Sequence, residues 1–121
     1  MTEAKDNQRP PKSSVRMAVA VALLVILVLL TWNVARSGYA SLLTTYAAQT
    51  SQISLADSAV RLGAADPDAH HVRATILESI DLPGAIAEHY QAASTRPDDY
   101  VLWLSLARAC LTVGAISGAR A

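Results

Sequence analysis

The stretch Met17–Ala35, MAVAVALLVILVLLTWNVA, constrains this chain more than any other. Its 19 residues include no charged side chain, and Arg16 and Arg36 bracket it. At ~1.5 Å of rise per residue, a helix of that length reaches ~28 Å, close to the hydrocarbon thickness of a bilayer. A helix apolar on every side needs apolar surroundings on every side. Residues 17–36 are therefore read as a transmembrane helix, and two fates for it stay open. As a retained anchor, it places Trp32 near its far end, where an indole suits the membrane interface. As a cleaved signal peptide, it offers a 14-residue apolar core, Met17–Leu30, and a small-x-small site at Gly38-Tyr39-Ala40. Against cleavage, the segment Thr31–Ala40 is long for a cleavage region and carries Arg36.

Charge is distributed unevenly about this segment. Residues 1–16 carry four basic side chains against two acids, and residues 37–121 carry five arginines against eight acids. The tail holds Pro10-Pro11 and almost no apolar side chains. It cannot bury enough surface to offset ordering entropy and is read as disordered. The positive-inside rule places it in the cytoplasm and the bulk of the chain across the membrane, periplasmic or extracellular. A mildly acidic outer part argues against nucleic acid as a partner. The single cysteine, Cys110, precludes an internal disulfide. Abundant alanine favours helix throughout, and the expected fold class is all-α.

Beyond the apolar segment, residues 37–66 read as a juxtamembrane connector and a helix. Leu42, Leu43 and Tyr46 fall at helical spacing, so the first helix continues or restarts there. The serines and threonines make a short connector equally compatible. Residues 52–64 form a clearer helix, with Ser51 as a cap and Ile53, Ala56, Val60 and Gly63 on one face beside Leu55, Ala59 and Leu62. Residues 68–79 form the next, with Asp68 as cap and a stripe of Ala69, Val72, Ile76 and Ile80. After a turn at Ser79-Ile80-Asp81, Asp81 caps a helix over Leu82–Thr95, with Pro83 in its first turn. Ala85, Ile86, His89 and Ala93 are expected on its inner side, with Tyr90 at the margin. Arg96-Pro97 ends it. Asp98 or Asp99 then caps a helix from Tyr100 to about Val113, whose inner face is expected to hold Trp103, Leu106, Ala107, Cys110 and Gly114.

Residues 67–121 resemble a tetratricopeptide repeat array, a 34-residue helix–turn–helix motif with small residues where helices cross and a proline after the second helix. Ala85, Ala92 and Pro97 fall at the spacings of the motif's two alanines and its proline. Trp103, Leu106, Ala107 and Gly114 fall on the W-x-x-L-[GA]…G pattern of the next unit. Cys110 departs from that pattern at a usual tyrosine position, and His89 stands where an aromatic is usual. Ala119 matches the first alanine of a second helix that is not completed by residue 121, so the second repeat is incomplete. The resemblance implies either a piece of a longer protein or a last helix whose bare face docks on another chain. With an N-terminal anchor, the layout is similar to bacterial envelope scaffolds of this family, and implies a protein–protein interaction role in cell-envelope polysaccharide or other assembly. It also implies a concave groove for a protein or peptide partner, with His70, Arg73, Ala74 and Tyr100 as its candidate residues. A secreted helical protein, or part of an enzyme subunit, is the alternative.

Signs of catalysis are missing. His70 and His71 are adjacent on a helix and point ~100° apart, so they cannot readily chelate one ion together. No HExxH or CxxC spacing is present, and these histidines are read as surface or groove side chains. Cys110 lies on an apolar stripe and reads as a packed thiol rather than a nucleophile. Asp98-Asp99 reads as a helix cap. The expectation is a non-enzyme with no metal, cofactor or small-molecule substrate, whose partners are the lipid bilayer and a protein.

Overall fold

The computed structural model describes residues 12–119, and side chains from 14 to 114; most of the tail read as disordered, residues 1–11, lies outside them. Among the described residues the chain is all-α, with five helices in order: α1 (Lys12–Thr50), α2 (Ile53–Leu62), α3 (Pro67–Leu77), α4 (Leu82–Thr95) and α5 (Tyr100–Ala119). The chain divides into two units, residues 1–34 and 35–121.

The first unit is the apolar part of α1. Among the described residues Leu23, Leu24, Leu27 and Leu30 are all exposed. By length and composition α1 is long and apolar enough to cross a membrane. Thr31 donates to the Leu27 carbonyl at 2.8 Å and Asn33 to the Leu29 carbonyl at 3.2 Å, so their polar groups are satisfied within the helix.

Lys12–Arg16 are helical rather than tail, which corrects that expectation, and of the two readings of residues 37–51 the structure has the continued helix, unbroken through Gly38 to Thr50. The threonines that favoured a connector instead bond back along the helix. Thr44, Thr45 and Thr50 donate to the carbonyls of Ala40, Ser41 and Tyr46. The helix ends at Ser51, which takes the left-handed conformation with φ 53° while its N–H bonds the Ala47 carbonyl.

In the second unit Ala40, Thr44 and Ala47 form a buried stripe on α1. A Cβ placed on Gly63 would lie 3.3 Å from the Ala40 Cβ, so two small residues bring α1 and the end of α2 together. Arg36 Nε donates to the Leu62 carbonyl at 2.7 Å at the same junction. Helix α2 packs on α3, α3 on α4, and α4 on α5. The buried side chains are mostly small: Ala56 and Ala59 on α2, Ala69 and Ala74 on α3, Ala85, Ala92 and Ala93 on α4, and Leu102 and Ala109 on α5. Alanine at these crossings allows close approach of the helices, as the spacing of Ala85 and Ala92 anticipates.

Helix starts follow from aspartates. Asp66, rather than Asp68, caps α3: its side chain accepts from the Asp68 N–H, and Pro67 occupies the first turn where no N–H is needed. Asp81 caps α4 by accepting from the Gly84 N–H at 3.2 Å. Asp99 accepts from the Val101 N–H at the start of α5. The expected cap at Ser51 is not formed; Gln52 precedes α2 without a side-chain bond.

The inner face of α5 differs from expectation. Leu102 and Ala109 are buried, while Trp103, Ala107 and Cys110 are exposed. Trp103 instead donates its indole N–H to the Pro97 carbonyl at 2.9 Å, which ties it to the preceding loop. The helix also continues past Gly114 to Ala119 without the turn that the repeat pattern implies there.

Candidate functional site

The chain holds three histidines, and the fold gathers all of them between α3 and α4. Two polar chains run through this seam. The first begins at Asp57 on α2, which accepts from Arg73 Nε at 2.7 Å. Arg73 also pairs with Glu88 on α4. Glu88 Oε2 meets His70 Nδ1 at 2.7 Å, and His70 Nε2 donates to the Ala64 carbonyl at 3.0 Å. Both oxygens facing His70 are acceptors, so both contacts are hydrogen bonds only when each ring nitrogen carries a proton. The Asp57 hydrogen bond is the main cause that holds the Arg73 guanidinium above its ordinary range, with Glu88 adding to it against the opposing effect of burial.

The second chain joins α3, α4 and α5. Glu78, at the C-terminal end of α3, accepts from His89 Nε2 at 2.9 Å and from Arg108 Nη2 at 3.1 Å. Burial pushes the Glu78 carboxyl up, but these two hydrogen bonds and the charges behind them outweigh it and hold the group below its ordinary value. An ionised Glu78 fixes the proton of His89 on Nε2. The opposite nitrogen, His89 Nδ1, is buried without a hydrogen-bond partner. The ring of His89 is fully buried and lies against that of His71, with centroids 5.4 Å apart at an interplanar angle of 53°. His71 Nδ1 is likewise buried and unpartnered. Burial, and next the neighbouring His89, lower the pKa of His71 from its ordinary value.

His71 also faces a cleft of about 400 Å³. One wall is α3 and its following turn, with Val72, Thr75, Ile76, Ser79 and Ile80; Ala48 and Ser51 at the end of α1 close the other side. The stripe of Val72, Ile76 and Ile80 expected on an inner face thus lines an open cleft, and Ile80 is exposed. A second hollow of about 280 Å³ lies beside Asp57, Val60, Arg61 and Arg73.

The four groove candidates do not share a surface. His70 and Ala74 are buried, and Arg73 is engaged by two carboxylates. Tyr100 alone is well exposed. The reading of His70 as a surface or groove side chain is corrected, since it is buried; His89 is buried on the inner side of α4, as expected, and each bonds across to another helix. Their partners Glu88 and Glu78 lie 18 and 11 residues away, separations that no helical spacing rule marks. Cys110 is exposed rather than packed. Among the described residues no group of three or more His, Cys, Asp or Glu side chains is placed to hold a metal ion.

The second unit exposes apolar side chains on α5. Val101, Leu104 and Leu111 are exposed, the last two at 64% and 74%. The helix is apolar around most of its circumference over Tyr100–Gly114. No protein-family model, curated protein or solved structure matches the chain.

Proposed function

We propose that this protein is a membrane-anchored adaptor. Residues 17–36 hold it in the bilayer, the basic tail stays in the cytoplasm, and the helices beyond form a tetratricopeptide-like module on the far side that binds a protein partner. The observation that carries this reading is the exposed apolar surface of α5 on a chain that also has a membrane-length helix. Apolar patches rimmed by polar side chains mark protein interaction sites, and here Arg108 and Ser105 share the helix. Anchoring raises the local concentration of such a surface for partners in the same membrane. The groove drawn from the repeat pattern at His70, Arg73 and Ala74 is replaced in this reading by the α5 surface, since those three side chains are occupied inside the module.

Retention of the anchor is favoured over cleavage after Ala40. Arg36 and Ala40 lie upstream of that bond, yet both make contacts within the second unit: Arg36 with the Leu62 carbonyl, and Ala40 against Gly63. Cleavage there would strip these contacts from the folded module.

The test is co-purification from native membranes with Leu104→Glu and Leu111→Glu combined. Loss of a specific co-purifying protein, with the helical content unchanged, is expected. An identical set of co-purifying proteins from both forms contradicts the role of α5.

A further inference from the structure

His71 and His89 come from different helices, and each buries an Nδ1 that finds no hydrogen-bond partner. Their rings touch with centroids 5.4 Å apart, and His89 has no solvent exposure. In the neutral state this arrangement is tolerable, because two uncharged rings pack as flat, partly apolar bodies. A proton added to either Nδ1 creates a buried N–H with no acceptor in reach and puts a positive charge beside the other ring. We propose that the His71–His89 contact is an acid-sensitive latch: protonation in mildly acidic conditions loosens α4 from α3 and rearranges the cleft wall that His71 forms.

The charged groups around His71 determine the sign. Asp68 and Glu78 on α3 and its end favour the protonated ring. His89 on α4 and Arg108 on α5 oppose it, and so does burial, which is the largest influence. The end of α1 contributes Ala48 and Ser51 to this cleft, neither of them charged. Burial, His89 and Arg108 outweigh the two carboxylates, so the folded ring holds its proton less tightly than an unfolded one, whose ordinary value is 6.5. The closed latch is therefore fully favoured above about pH 6.5 and loses that advantage as pH falls through the lowered value. The other carboxylates of the seam, Glu88 and Asp57, are held by Arg73 and His70.

The experiment uses the full chain in lipid nanodiscs. Amide hydrogen exchange of α3 and α4 is followed by mass spectrometry at pH 7.5 and pH 5.0, corrected for the intrinsic pH dependence of exchange. Protection in these helices is expected to fall at pH 5.0, while residues 17–34 keep theirs. His71→Gln is expected to retain protection at pH 7.5 and to abolish most of the acid loss. Equal protection at both pH values in the parent, or a full acid loss in His71→Gln, overturns the latch. Should His71→Gln lack protection even at pH 7.5, the ring resonances of His71 in the parent decide. A ring still neutral where an unfolded-peptide histidine is half protonated supports the latch; one that titrates with that peptide refutes it.

Discussion

His70 Nδ1 lies 2.7 Å from Glu88 Oε2, across the interface of α3 and α4, and the same carboxylate also receives Arg73. One acidic side chain thus meets two side chains of the opposing helix, His70 and Arg73, and through Arg73 it reaches Asp57 on α2. In a module whose core is mostly alanine, this seam supplies the directional contacts that larger apolar side chains would otherwise provide.

Glu88→Gln removes the charge while keeping the shape. His70 is buried and Glu88 only 17% exposed, so the change leaves interior donors poorly matched. A loss of ~2–3 kcal/mol is expected, in the range for breaking a largely buried pair, measured by chemical denaturation of the full chain in detergent. Arg96→Ala, which breaks an exposed pair with Asp68, is expected to leave the midpoint in place.

The cap of α4 yields a prediction with a sign reversal. A Cβ on Gly84 would lie 2.3 Å from Asp81 Oδ2, so the cap occupies the space that alanine needs. Gly84→Ala gains ~1 kcal/mol of helix propensity but displaces a cap worth ~1 kcal/mol, and alone is expected to be close to neutral. In an Asp81→Ala background, where the cap is already lost, the same change is expected to stabilise by ~1 kcal/mol. Equal effects in both backgrounds, in a double-mutant cycle by thermal denaturation, would show that the two side chains do not compete.

Acid stability below the range of histidine is assigned to Glu78. Its folded pKa is held below the ordinary 4.5, so the unfolded chain binds the proton more readily. The stability this group contributes is present above about pH 4.5 and is lost as pH falls through the lowered value. Glu78→Gln is expected to flatten the melting-temperature profile below pH 4.5 and to lower it at neutral pH, as His89 and Arg108 lose their carboxylate.

Cys110 is exposed on α5. Maleimide labelling of the folded chain is expected to reach completion at a rate close to that of the unfolded chain. Labelling that requires denaturant would place α5 the other way round, with Cys110 inward.

Most helices were legible from local chemistry. Pro67, Pro83 and the aspartates around them punctuate α3 and α4, and the helical spacing of Ala85, His89 and Ala93 marks the packed side of α4. The register of α5 was not legible, because Tyr100–Gly114 is apolar almost all round and periodicity then carries no direction. Trp103 was placed on the inner face by its helical spacing and the repeat pattern, but its indole N–H needs an acceptor and finds the Pro97 carbonyl at the surface. The length of α1 was hidden by Thr44, Thr45 and Thr50, whose hydroxyls compete for backbone in short loops yet here bond back to the preceding turn. Of the histidine seam only the inner placement of His89 was legible; its pairings were not, since they depend on which turns of α3 and α4 meet.

The proposal that Met17–Ala35 is a retained anchor is tested most directly by sequencing the N-terminus of the mature protein recovered from alkali-washed membranes. The account predicts that the protein stays with the membrane and that its N-terminus lies upstream of Met17. A mature chain that begins at Ser41 and is released by the wash would contradict it.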